Sequence, residues 1–466
     1  MELGKRLEHV TVLGAAGKMG CGIASLLAVE LTKRRLAFKA PDSLFRLNLM
    51  DVSEDGLRAL AEYLRGQALK AAERSAAELR RLYAHRADLV ENGEMIDEFV
   101  RDVLRTATFT TDLASARSSH MVFEAIVENE DVKLSVYRRL REVCSPETYF
   151  FTNTSSIPIR LLDDSAGLDG RIIGYHFYNP PPVQKLVELI TSPPTRPDLV
   201  EQAKELGKAL RKTLIVANDV AGFIGNGHFI RDGLHAIAEV LRLERSGFSQ
   251  AEAIYAINRV SQDWMVRPMG IFQLIDYVGI DVFQLILRVM DRYLPKAALH
   301  SDLIDQYVGE NVKGGQFASG AQKDGFFKYE KTGIGAVYDL KRRGYLALEF
   351  GEAGWSGKVD AQLGATPVGC QPWKKWMGQP NRDTTLLPYL DSLWQSETLG
   401  ARLARSYLLR SADIAQTLVS DGVAGTAEDV NGVLLYGFFH AYGPVNEVTR
   451  RRLVEHKASE NKGVQS

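Results

Sequence analysis

His176 and Glu188 are residue types that could transfer a proton together. They lie twelve residues apart, on either side of the run Asn179-Pro180-Pro181-Pro182. Residues Arg171 to Tyr175 read as a strand that ends at the histidine, and Lys185 to Ile190 as a second apolar strand. A strand, turn and strand of that length folds back on itself, which brings the acid to the ring. A carboxylate that orients a histidine fixes its tautomer and makes it a general base. Gly14, Asp51, Glu128, Asn153 and Ser155 share one feature with this pair. Each stands at or near the carboxyl end of an expected strand, where open α/β sheets hold their ligands.

The elements that must position these residues follow from local pattern. His9 to Leu13 is a short β-branched strand that runs into Gly14-Ala15-Ala16-Gly17-Lys18-Met19-Gly20 and then the helical pattern from Ile23 to Ala28. Glycines let a backbone approach a pyrophosphate, and a helix N-terminus supplies N–H groups and the positive end of a dipole. Residues Arg46 to Asp51 read as a second strand ending in an acid that could hold ribose hydroxyls. Asp51 lies 37 residues after Gly14, against about 20 in the usual unit. The excess is read as an inserted basic loop, Thr32 to Phe45. A long helical region is expected from Glu54 to Tyr83, with Lys70 and Arg74 on one face. Further on come a strand from His120 that ends in acids, a helix from Asp131 to Cys144, and a strand from Tyr149 that ends in small polar residues.

Composition narrows the class. The 466 residues are 45% hydrophobic and 25% charged, with a net charge of −1. This is an ordinary globular balance, without the footprint of a nucleic-acid binder or a polybasic membrane patch. No apolar run approaches the ~18 residues that span a bilayer. Cys21, Cys144 and Cys370 show no metal-ligand spacing, so no metal is expected, and they read as free thiols of a reducing cytoplasm. The charged start of the chain does not read as a secretory signal.

Taken together, six segments resemble the 3-hydroxyacyl-CoA dehydrogenase family. They are Val12 to Ala24, Glu124 to Asn129 with Lys133, Asn153 to Ile159, His176 to Ile190, Gly222 to Asn226, and Gly270 to Asp281. The resemblance implies an NAD-dependent oxidation of a (S)-3-hydroxyacyl-CoA to a 3-ketoacyl-CoA. It implies His176 as base, Glu188 as its orienting acid, and Ser155 and Asn226 on the reacting oxygen. Asn179 would support that shell. Gly14, Gly17, Lys18 and Met19 would bind NAD and Asp51 its adenosine ribose, with Glu128, Lys133 and Asn153 on the nicotinamide side. Lys70 and Arg74 fall where the family contacts CoA. Three departures stand out: the extra alanine in the glycine turn, Val220-Ala221 in place of Thr-Pro, and Gly227 in place of a cation. The missing proline is expected to loosen the loop that presents Asn226. Two other readings stand beside this one: a dehydrogenase of a free hydroxy acid or sugar acid, and a non-catalytic cofactor-binding homologue.

The expected architecture is an α/β Rossmann-type dinucleotide-binding domain (1–218) followed by all-α C-terminal domains. These are a first helical domain (219–330), a surface connector (331–395), and a second, degenerate helical domain (396–466). The second repeats the first: a long helix from Leu399, a capped helix near Ala427, then an aromatic-glycine turn in which Gly443 corresponds to Gly270. The two would pack as an intrachain pseudo-dimer, with further self-association left open. His440 reads as a packing or surface histidine. No hydratase or thiolase segment is visible, so those partners would be separate proteins.

Overall fold

A computed structural model describes residues 1–317, 320–331 and 333–463. The chain forms two compact units, Met1–Asp219 and the part from Val220 onward.

The first unit is built on an eight-stranded sheet. Its strands are β1 (His9–Leu13), β2 (Arg46–Met50), β3 (Ala107–Thr110), β4 (Met121–Glu124), β5 (Tyr149–Thr152), β6 (Ile172–Phe177), β7 (Leu186–Thr191) and β8 (Thr213–Asn218). They lie in the order β3-β2-β1-β4-β5-β6-β7-β8. Every pair is parallel except β6 with β7. The central strands are mostly apolar because helices cover both faces: Val10, Val12, Met121, Val122 and Phe150 have no exposed surface. The order reverses at β1, between β2 and β4, which opens a crevice at the carboxyl ends of those strands.

Several elements differ from the sequence reading. The helix after the glycine turn runs from Gly20 to Ala37, so the first six residues of the expected loop Thr32 to Phe45 are helical. Leu31, Thr32 and Arg35 on its last turns are buried. Its cations are spent on internal pairs: Lys33 with Glu78 (2.7 Å), Arg34 with Glu30 (2.7 Å), and Arg35 with Asp102 (2.7 Å) and Asp42. The region from Glu54 breaks at Ser75 into helices Glu54–Arg74 and Ala76–Leu82. A further helix, Asn92–Thr106, opens on a Glu91/Glu94 capping box and leads into the edge strand β3, and neither was expected.

The second unit is mainly helical but not all-α. Helices Phe223–Arg245, Gln250–Arg259, Ile271–Val278 and Ile280–Tyr293 are followed by a three-stranded antiparallel sheet: β9 (Phe327–Glu330), β10 (Gly333–Asp339) and β11 (Gly344–Ala347). Helices Leu399–Ser420, Ala427–Gly437 and Glu447–Gly463 complete it. A single apolar core joins the early and late halves, with Ile230, Trp264 and Phe283 in one cluster with Leu403, Tyr407 and Tyr442. Residues 331–395 are therefore not a surface connector. Val337, Leu363, Leu386, Leu390 and Leu393 are fully buried in that core. They sit on short separate elements: Val337 on β10, Leu363 at the end of a helix Trp355–Leu363, and Leu386, Leu390 and Leu393 at helical spacing around a helix Leu387–Ser392. Among the described residues, no helix is long and apolar enough to cross a membrane.

Candidate active site

The glycine turn comes first, because it shapes the crevice. Gly14 ends β1 at φ +68°, and a Cβ there would lie 2.6 Å from the Ala125 carbonyl oxygen. A Cβ on Gly20 would lie 1.9 Å from the Gly14 oxygen. Only glycine fits either position, so the backbone of the turn is left bare for a ligand to approach. Gly17 donates to Gly14 O (3.0 Å), and Lys18 and Met19 close the turn before the helix begins at Gly20. Asp51 follows β2 beside this turn. Its Oδ2 accepts from Ala16 N (3.0 Å) and its Oδ1 from Ser53 N (3.1 Å). The acid is thus held rigidly at the place where a ribose would pass a bare glycine backbone, and these residues fit a dinucleotide.

Across the crevice, acids and a lysine from β4 and the next helix form a buried cluster. Glu124, at the end of β4, has no exposed surface. It accepts from Lys133 Nζ (2.6 Å), Thr152 Oγ1 (2.7 Å), Tyr137 OH (3.0 Å) and Ile126 N (2.9 Å). Lys133 reaches from the helix Glu130–Val143 and also lies 3.4 Å from Glu128. Burial disfavours its charge, but Glu124 and Glu128 outweigh burial and raise it above an ordinary lysine. Glu128 Oε1 gathers the segment after β5. It accepts from Thr154 Oγ1 (2.7 Å), Ser155 N (3.0 Å), Ser156 N (3.1 Å) and Ser156 Oγ (2.9 Å). Burial would raise its carboxyl, yet Lys133 and these donors hold it below the usual glutamate range. Ser155 is presented by this network. Asn153 Oδ1 accepts from Phe177 N (2.8 Å), which ties β5 to the end of β6.

β6 and β7 form the expected fold-back, and His176 stands directly opposite Glu188 in their register. The strand continues one residue past the histidine, to Phe177. His176 Nδ1 lies 3.0 Å from Glu188 Oε2. A carboxylate only accepts, so Nδ1 carries the proton and the ring's lone pair is on Nε2. Glu188 is completely buried, while the His176 side chain keeps 12% of its surface exposed. A second donor reaches the same carboxylate oxygen, Tyr178 OH at 2.7 Å. Burial and then Glu188 raise the Tyr178 hydroxyl well above its ordinary value, so it remains a donor. Asn179 follows at the start of the proline turn.

Glu124 and Tyr178 were not singled out from sequence. Glu124 ends a strand in a quoted motif and Tyr178 sits two residues past His176, but nothing local marks them as partners of Lys133 and Glu188. Lys70 and Arg74 lie exposed on the helix Glu54–Arg74. Asn226 lies in the second unit, on the first turn of the helix Phe223–Arg245. The loop before it is well packed despite the missing proline: Ala221 and Phe223 are buried, and Gly222 (φ +84°) is closed over by Met290. The absence of a cation at Gly227 has a steric cause, since a Cβ there would lie 2.9 Å from Leu418 Cδ2.

The family model for the 3-hydroxyacyl-CoA dehydrogenase NAD binding domain matches residues 9–220, and that for the C-terminal domain matches residues 222–329. The mitochondrial hydroxyacyl-coenzyme A dehydrogenase of Homo sapiens is 32% identical over 327 residues, which span 70% of this chain and 92% of that protein. The probable 3-hydroxybutyryl-CoA dehydrogenase of Bacillus subtilis is 30% identical over 331 residues, 70% of this chain and 98% of its own. Among solved structures, FadB2 of M. tuberculosis is 27% identical with a TM-score of 0.53, over 70% of this chain and 99% of that one. The 3-hydroxybutyryl-CoA dehydrogenase of Escherichia coli K12 is 21% identical with a TM-score of 0.62. It covers 97% of this chain and 99% of its own, a likeness of fold that extends through the late helices.

Proposed function

The chain belongs to the 3-hydroxyacyl-CoA dehydrogenase family, and from that premise we propose that it oxidises a (S)-3-hydroxyacyl-CoA thioester to the 3-ketoacyl-CoA with NAD. The observation that carries the mechanism is the buried Glu188 carboxylate 3.0 Å from His176 Nδ1 in paired strands. His176 Nε2 takes the proton of the 3-hydroxyl. Glu188 stabilises the imidazolium that results, and Tyr178 holds Glu188 in place. Bound NAD supplies the hydride acceptor. Ser155 and Asn226 hold the substrate oxygen, and Asn179 supports them. Gly14, Gly17, Lys18 and Met19 would bind the cofactor, and Asp51 would hold its adenosine ribose. Glu128, Lys133 and Asn153 line its nicotinamide side, and Glu124 sets Lys133. Lys70 and Arg74, exposed on one helix, meet the CoA phosphates. Most of the rate advantage of such a site comes from holding two reactants in line.

The second unit is read as a duplicated helical domain, 219–330 and 396–466, closed on itself as a pseudo-dimer. Two features support this. Helices Gln250–Arg259 and Ala427–Gly437 both start with a capping box, each preceded by a helix of similar length. An asparagine on each stands twelve residues before a glycine that it crowds: Asn258 before Gly270 and Asn431 before Gly443. Their Oδ1 atoms accept from the backbone of Gln273 (3.1 Å) and Val445 (3.0 Å). The protein is placed in a reducing cytoplasm and works with a separate hydratase and thiolase. A turnover screen with NAD tests the substrate class. Acyl-CoA thioesters should be oxidised, and turnover of free hydroxy acids alone would overturn the reading.

A further inference from the structure

The turn that joins the two strands of the dyad is gripped from both sides. Lys212 stands just before β8. Its backbone N–H donates to Gly207 O (2.8 Å), past the end of the helix Pro197–Ala209. Its side chain passes under the proline run, where Nζ donates to Pro181 O (2.5 Å) and Gln184 O (2.7 Å). Three consecutive prolines leave this turn short of N–H donors of its own. Val183 N and Gln184 N both bond to Pro180 O (3.0 Å each), so neither serves the two carbonyls that Lys212 meets. Lys212 is partly buried, and burial lowers its ammonium to about 8. Burying an ammonium is costly, and the two carbonyls of the turn offset part of that cost.

The opposite side of Pro181 rests on the helix of the glycine turn. A Cβ on Gly22 would lie 2.7 Å from Pro181 Cδ and 2.8 Å from Cγ, so only glycine permits this approach. The same proline is therefore fixed by its carbonyl on one side and its ring on the other. The strands it joins place His176 against Glu188 five residues before it and seven after.

We propose that Lys212 and Gly22 are positioning residues that clamp Pro181 between them, fixing the turn of the His176–Glu188 dyad against the helix that follows the glycine turn. Neither touches substrate in this scheme. They act through the turn, by setting where the His176 ring points. The inference rests on the proton-transfer reading given above.

The test compares wild type with Lys212→Met, Lys212→Arg and Gly22→Ala in three measurements: steady-state kinetics on an acyl-CoA thioester, NADH binding by fluorescence, and the His176 imidazole resonances, assigned by their loss in His176→Gln. Lys212→Met should lower kcat by about 10–10²-fold, with NADH affinity and the KM for NAD nearly unchanged. The His176 resonances should move. Lys212→Arg, which keeps donors for both carbonyls, should recover most of the activity. Gly22→Ala should move the same resonances from the other side of the proline. If Lys212→Met fails to fold, Gly22→Ala decides by itself. Normal kcat with unmoved His176 resonances overturns the clamp, even where the melting temperature falls. If the wild type oxidises no thioester, the dehydrogenase reading fails separately. The imidazole resonances then decide the clamp alone: movement in both variants supports it, and no movement overturns it.

Discussion

At the scale of single residues, the site depends on carboxylates whose lone pairs are used. Glu188 takes two donors on one oxygen, His176 Nδ1–H and Tyr178 OH. His176→Gln and Glu188→Gln are expected to fold and to bind NADH, yet to lose about 10²–10⁴ in turnover. Near-normal kcat in either would place the base elsewhere. Tyr178→Phe leaves the dyad intact and should cost less than Glu188→Gln. Glu128 supports a prediction about pH. Its folded carboxyl lies below the ordinary value of 4.5 because Lys133 and its donors outweigh burial. A depressed acid contributes stability in full above its unfolded pKa and loses it as pH falls through the lower folded value. Glu128→Gln should therefore melt below wild type at pH 7, with the gap closing as pH falls below 4.5. Melting curves of the cofactor-free proteins from pH 7 to pH 3 would show it, and a gap that stays constant would count against the Glu128 network.

At the scale of elements, the proposed roles of the glycine turn and of Asp51 after β2 make a prediction about cofactor choice. Asp51 is held by two backbone N–H groups beside bare glycine backbone, so it can accept from a ribose diol and repels a 2′-phosphate. The basic stretch that could rescue such a phosphate has Lys33, Arg34 and Arg35 already paired with acids of the same unit. NAD should be preferred over NADP by about tenfold or more in kcat/KM, or about 1.4 kcal/mol. A preference for NADP would remove Asp51 from the ribose. The helix Phe223–Arg245 makes a second point. Gly227 faces the buried Leu418 of the helix Leu399–Ser420. Restoring a cation with Gly227→Lys should overpack this contact and cost about 1–3 kcal/mol. Adding Leu418→Ala should recover part of that loss in denaturant melts. If Gly227→Lys is as stable as wild type, the steric reason for the departure is wrong.

At the scale of the whole molecule, the late helices belong to the same core as the early ones. Tyr407 OH donates to Asp232 O (2.8 Å) and Tyr442 OH to Met265 O (2.9 Å), both from the late half to the early half. On the proposed duplication, the early half has its partner covalently attached, which raises the partner's effective concentration to roughly millimolar. Truncation after Glu349 keeps the small sheet and removes Leu403, Tyr407, Leu418 and Tyr442 from the core. The shortened protein should dimerise through the exposed apolar face or aggregate. A stable, soluble monomer in light scattering would mean that the late half does not cover the early one, and the duplication reading would fail.

What the sequence alone determined was local. Strand, glycine turn and helix from His9 to Ala28, and the fold-back that pairs His176 with Glu188, are each set by spacing within a short segment, and spacing is visible in a string of letters. The family motifs extended that reading to the reaction and to NAD. What only the tertiary structure decided involves partners far apart in the chain. Edge strand β3 exists because β2 is there to pair with it. The start of the basic stretch, up to Ala37, is helical, and there Glu78 and Asp102 meet Lys33 and Arg35. Val337, Leu363, Leu386, Leu390 and Leu393 are core because they pack in one cluster with residues of the early and late helices. Glu124 and Tyr178 join the site through contacts with Lys133 and Glu188, and Gly227 is explained by a leucine near the end of the chain. Local pattern reports the preference of a segment, but burial and ion pairing are energies between segments, and those are set only when the chain has folded.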